Sequence, residues 1–154
     1  MTLIEVARLG KFIRELTGQN DGAWVEAIQR VTGNKKGDAW CASYVSVALA
    51  LYYGGSDKNP LPMSASCDVL LEAARKKGWL TDTPAVGDVF LVMKTPTDAV
   101  HTGFVTEVKR LSIRTIEGNT NDDGSRDGYG VFERSRFRLP GQGLMYIHLP
   151  PKAA

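Results

Sequence analysis

The chain has 154 residues, 43% hydrophobic and 23% charged, the size and balance of one globular domain with its own core. The 19 Lys and Arg against 17 Asp and Glu leave +2 with no block of one sign, which argues against a nucleic-acid or membrane-surface role. No apolar run reaches transmembrane length, no basic-then-apolar leader is visible, and two Cys with two His are too few for a disulfide scaffold or a ready zinc site.

The spacing of Val6, Leu9, Ile13 and Leu16 predicts a first helix over 2–16. A second helix follows Asp21-Gly22, carries Trp24, Val25 and Ile28, and ends near Gly33. Asn34-Lys35-Lys36-Gly37-Asp38 reads as a turn. A third helix starts near Trp40, with Cys41, Val45, Ala48, Leu49 and Tyr52 on one face, and stops at Gly54-Gly55. A fourth follows Pro60-Leu61-Pro62. Ser64 or Ser66 caps it, Val69, Leu70, Ala73 and Ala74 face inward, and Gly78 closes it.

The pattern changes near Pro84 to short, turn-punctuated strands. These are expected over 89–93, 101–108, 112–119, 131–137 and 144–149. Helices first and strands later predict an α+β domain, with helices packed on one side of an antiparallel sheet of about five strands. One domain over 1–154 is expected.

Cys41 is the first candidate for chemistry. A helix N-terminus favours thiolate over thiol, and the thiolate is the nucleophile. Cys67, within the fourth helix pattern, reads as a small core residue. A disulfide between the two would abolish a nucleophile at either position. His101 and His148 are the available bases. His101 has the better context, because Glu117 and Asn119 lie on the neighbouring strand. Ile113, Thr115, Glu117 and Asn119 share one face of it. An odd-numbered loop near Arg110 would bring His101 onto that face; an even one would send it to the other.

In this arrangement Cys41 attacks a carbonyl, His101 handles the proton, and Glu117 or Asn119 holds the imidazole in its tautomer. The backbone N–H of Cys41 can donate to the oxyanion. Trp40 lines the cleft or fills the core, while Trp24, Trp79 and the Tyr52-Tyr53 pair are expected to pack.

Four stretches, in this order, resemble the CHAP family (cysteine, histidine-dependent amidohydrolase/peptidase) of the papain-like NlpC/P60 group. They are Gly37-Asp38-Ala39-Trp40-Cys41-Ala42-Ser43-Tyr44-Val45, Pro84-Ala85-Val86-Gly87-Asp88-Val89, His101-Thr102-Gly103-Phe104-Val105 and Ile116-Glu117-Gly118-Asn119-Thr120. The resemblance spans about 19–149. It implies a papain-like fold, Cys41 as nucleophile, His101 as base, and Glu117 and Asn119 as the polar residues that orient or assist. It also implies bacterial peptidoglycan as substrate, cut at the muramoyl–L-alanine amide or within the stem peptide or cross-bridge, by a phage lysin or antibacterial effector-type enzyme. No cofactor and no metal are expected, nor nucleic-acid binding or membrane insertion. Without a visible leader, the expectation is synthesis in the cytoplasm and action on the wall after release or delivery. A protein partner for delivery or immunity is compatible with that route.

The loop from Asn119 to Asp127 partly matches a calcium loop, but Gly130 stands where a bidentate Glu is wanted. The simpler reading is a loop bordering the cleft, with Asp122, Asp123 and Arg126 as substrate contacts. Two other functions compete. One is a non-catalytic wall- or glycan-binding module on the same fold, and the other is a cysteine acyltransferase using the same dyad.

Overall fold

The computed structural model describes residues 1–120, 128–139 and 143–154. Helices α1 (Leu3–Arg8), α2 (Ala23–Val31), α3 (Cys41–Tyr53) and α4 (Cys67–Lys77) precede six strands. The strands are β1 (Leu80–Thr81), β2 (Val89–Thr95), β3 (Asp98–Val108), β4 (Ser112–Thr120), β5 (Gly130–Phe137) and β6 (Leu144–Ile147). They form one antiparallel sheet in the order β1-β6-β2-β3-β4-β5. The α+β layout expected from the sequence is present. The sixth strand, β1, is two residues long and too short to leave a pattern.

α3 is the central helix. α1 and α2 pack against it from one side, β3 and β4 from the other. That explains its composition: Ala42, Ser43, Tyr44, Val45, Ser46, Ala48 and Leu49 are all buried, more than one apolar stripe would require. Its inward hydroxyls are satisfied locally. Ser43 Oγ lies 2.7 Å from Thr32 Oγ1, and Ser46 Oγ donates to the Ser64 carbonyl at 3.0 Å. Gly54 ends the helix in the left-handed region, φ +93°.

The first helix is shorter than the spacing predicts. α1 stops at Arg8, and Leu9–Phe12 continue as a 3-10 turn. A Cβ at Gly10 would lie 3.2 Å from Tyr44 Cε2, so the glycine sits where the chain passes close to α3. The Tyr44 hydroxyl donates to the Ala7 carbonyl at 2.7 Å. Beyond the turn the backbone is claimed by the strand side. Arg14 bridges to Gly130, and the Ile13 carbonyl accepts from Val131 N–H.

In α4 the expected phase is also off. Ser66 is the N-cap, its Oγ accepting from Val69 N–H at 3.2 Å. Cys67 is therefore the first helical residue, and Cys67, Leu70, Leu71 and Ala74 form the buried set at i, i+3, i+4 and i+7. Val69 points outward, 43% exposed. Trp24 packs edge to face with Phe12, at a centroid distance of 5.2 Å, but at the surface, where it is 60% exposed. Tyr52 and Tyr53 do pack, edge to face, with the Tyr53 hydroxyl donating to the Pro150 carbonyl. Trp79 also packs against the core. No helix among the described residues is long and apolar enough to cross a membrane.

Candidate active site

The approach to Cys41 is fixed by a buried amide. Gln29 Nε2 donates to the carbonyls of Asn20 (3.0 Å) and Asp38 (2.8 Å), pinning the turn before α3. Gly37 takes φ +96°, a conformation that favours glycine. Asp38 Oδ2 accepts from Lys35 N–H at 3.0 Å. Trp40 occupies the N-cap, and no side chain caps the helix. The amide groups of the first turn are thus left to the Cys41 sulfur and to whatever it attacks.

Trp40 itself is fully buried, and its indole Nε1 donates to Glu15 Oε1 at 2.8 Å. Its ring packs on Gly118, where a Cβ would come within 2.9 Å of Trp40 Cζ3. Of the two roles the sequence left open, a cleft-lining substrate contact or a core residue, it takes the second and seats β4 against the start of α3.

His101 and Glu117 come together by a route the loop argument did not contain. The β3–β4 hairpin has an even loop: Lys109 N–H bonds the Ser112 carbonyl, and Val108 opposes Ile113. Such a loop should send His101 to the wrong face. Between Val105 and Glu107 the register shifts by one, so that Val105 opposes Thr115 and Phe104 opposes Ile116. The extra residue, Thr106, is a β-bulge that reverses the parity. His101 Nε2 then lies 2.7 Å from Glu117 Oε1.

Gly103 makes room for this pair. A Cβ there would stand 2.6 Å from the Ile116 carbonyl oxygen, 2.7 Å from Phe90 Cε1 and 2.9 Å from Glu117 Cγ. The Phe90 ring also lies beside the imidazole, at a centroid distance of 6.3 Å.

Glu117 is completely buried and fully occupied. Arg136 on β5 grips both oxygens, Nε to Oε2 and Nη2 to Oε1, each at 2.7 Å. Thr115 Oγ1 donates to Oε2 at 2.5 Å. Burial alone would raise the carboxyl. Arg136 and His101 together override it and hold Glu117 below the usual carboxylate range. It is an anion braced on several sides.

The imidazole and the Cys41 thiol act on each other electrostatically, each favouring the charged form of the other. With Nε2 committed to Glu117, Nδ1 is the nitrogen left for sulfur. Burial pulls His101 down, but Cys41 and Glu117 outweigh it, and its pKa is pushed up to about 9. Cys41 moves the other way, well below the ordinary thiol value. The Cys67 thiol is the largest cause; His101 and the Ala42 backbone assist, and burial opposes. These directions describe a thiolate beside an imidazolium.

Cys67, which the sequence reading placed in the core, is the close neighbour of Cys41. Its Sγ lies 3.8 Å from Cys41 Sγ, and both thiols are free and buried. The hydrogen bond to Cys41, followed by burial, raises Cys67, so it stays protonated. The available signal was positional: each cysteine opens a helix. Arg136 was missed as well, because the β4–β5 register is not readable from the strand patterns.

Asn119 does not hold the imidazole. It is buried in a left-handed conformation, φ +54°, and its Oδ1 has no hydrogen-bond partner. His148 takes no part either: its Nδ1 pairs with Asp88 Oδ1 at 2.8 Å, and Asp88 Oδ2 accepts from Ala85 N–H. Asp122, Asp123 and Arg126, and most of the calcium-like loop, lie outside the described residues. Among the described residues no group of three or more His, Cys, Asp or Glu is placed to hold a metal ion.

A helix-borne thiol, a strand-borne imidazole and a buried carboxylate on an α+β frame are the parts that cysteine amidohydrolases and peptidases use as a class. The family model for the CHAP domain matches residues 32–119, more than half of the chain, and the chain belongs to that family. The matched segment contains Cys41, His101, Glu117 and Asn119, while Arg136 lies beyond it. CHAP domains are, as a family, amidohydrolases and peptidases of peptidoglycan-hydrolase type. Comparison with curated proteins returned no match.

Proposed function

We propose that this protein is a cysteine-dependent peptidoglycan hydrolase that cuts an amide bond, either muramoyl–L-alanine or one within the stem peptide or cross-bridge. The observation that carries the reading is the imidazole of His101 held 2.7 Å from a braced carboxylate, with Cys41 at the start of α3 as the thiol whose ionisation that imidazole favours.

The Cys41 thiolate attacks the carbonyl carbon, and the oxygen becomes an oxyanion facing the N–H groups at the start of α3. As the C–N bond breaks, His101 passes its proton to the leaving amine and becomes neutral. A thioester joins the acyl part of the wall peptide to Cys41. Neutral His101 takes a proton from water, the resulting hydroxide attacks the thioester, and the carboxylate product leaves. The thiolate and imidazolium return. Glu117 stays anionic throughout, orienting His101 and favouring its charged form. Asn119, two residues along β4 from Glu117, assists. The protein is made inside the cell and acts on the wall after release or delivery.

The test is mass spectrometry of fragments released from purified peptidoglycan. Wild type should release fragments with new amine and carboxyl ends that identify the bond cut. Cys41→Ala, folded by circular dichroism, should release none. Fragment release by the alanine variant, or none by wild type, overturns the reading.

A further inference from the structure

We propose that Cys67 is a resolving thiol for Cys41: a hydroperoxide joins the pair in an intramolecular disulfide that takes Cys41 out of action until a thiol reductant restores it. This inference rests on reading Cys41 as the nucleophile.

The geometry is that of a pair built to meet. Each cysteine is the first residue of its helix, and the N-termini of α3 and α4 converge on the two sulfurs. The sulfurs stand 3.8 Å apart and must close to the roughly 2.05 Å of a disulfide bond, a small motion for two short side chains. The surroundings hold the two helix starts in place. Ser46 on α3 donates to the Ser64 carbonyl and accepts from Ser64 N–H, tying down the segment that leads into α4. Asp68, next to Cys67, accepts from Ala99 N–H on β3 at 2.7 Å, two residues before His101. The chain has no third cysteine, so any intramolecular disulfide must be this one.

The chemistry balances. The Cys41 thiolate attacks one oxygen of the hydroperoxide. The O–O bond breaks, Cys41 becomes a sulfenic acid, and the alcohol, or water from hydrogen peroxide, leaves after taking a proton. Cys67 then attacks the Cys41 sulfur. The S–O bond breaks, and the departing hydroxide takes the Cys67 proton and leaves as water. Two thiols are oxidised by two electrons, and one hydroperoxide is reduced. Without Cys67 the sulfenic acid is exposed to further oxidation to sulfinic acid, which thiols do not reverse.

The test uses the full chain treated with hydrogen peroxide, blocked with iodoacetamide and read by intact mass and peptide mapping. Wild type should lose two hydrogens, resist alkylation at both cysteines and yield a peptide cross-linked through Cys41 and Cys67. Dithiothreitol should reverse the cross-link and restore any wall-lytic activity lost with it. Cys67→Ser, or Cys67→Ala if the serine variant misfolds, should gain oxygen at Cys41 at the same dose and fail to recover. Oxygen on Cys41 of the wild type without a cross-link, or equal recovery of wild type and variant, overturns the proposal. The cross-link is read without an activity assay, so wild type that never cuts the wall counts against the proposed function alone.

Discussion

Arg136 holds the carboxylate of Glu117 through two 2.7 Å hydrogen bonds, and the same carboxylate holds His101. The carboxylate is buried, so its ionisation depends on these partners. Arg136→Met should cost about 3 to 5 kcal/mol of stability, the usual penalty for stripping a partner from a buried ion pair. Arg136→Lys should lose less, since it keeps the charge but not the two-pronged grip. Urea unfolding of the three proteins checks the order.

Glu117→Gln should keep an acceptor near Nε2 while removing the charge. The rate should fall at least about tenfold, as the imidazolium loses its stabilising anion. The alkaline limb of kcat/KM should move down from about 9 towards the ordinary imidazole value of 6.5. A pH–rate profile separates this effect from simple unfolding.

The pH dependence has a defined sign. Cys41 lies below its ordinary value and His101 above, so the ion pair persists across neutral pH and is lost as His101 deprotonates near 9. For stability, the contribution of the raised His101 is fully present below 6.5 and disappears as pH rises through about 9. That of the lowered Glu117 is present above 4.5 and disappears as pH falls towards its native value. Thermal melts across pH should therefore decline on both sides of neutrality.

Gly103→Ala places a methyl group against the Ile116 carbonyl, Phe90 and Glu117. Overpacking of this kind should cost about 1 to 3 kcal/mol. It should also reduce activity beyond the loss of folded protein, because one of the atoms the methyl group crowds is Glu117 Cγ, in the side chain that aligns His101. Activity normalised to the folded fraction is the measurement.

Asn119→Gly keeps the left-handed backbone and removes only the side chain. The rate should fall while the alkaline limb stays near 9, since Asn119 does not touch the imidazole. A shift equal to that of Glu117→Gln would give Asn119 the orienting role.

Much of this was legible in the chain. The polar turn before Cys41, the capping serine and closing glycine of α4, and the run of strands after Pro84 each follow from local rules. What was hidden depends on pairing. Thr106 carries no mark of a bulge, yet it alone brings His101 and Glu117 to one face across an even loop. The partnership of Cys41 with Cys67, and of Arg136 with Glu117, arises where separate elements meet. Trp40 shows the converse: a residue adjacent to the nucleophile in sequence can face entirely inward.

The ionisation of Cys41 is tested most directly by the pH dependence of iodoacetamide alkylation, followed residue by residue by mass spectrometry. Cys41 should react at neutral pH, with its rate already level well below the ordinary thiol pKa of about 8.5, while Cys67 lags. Alkylation of Cys41 that climbs only through that ordinary range, or modification of Cys67 first, would contradict the account.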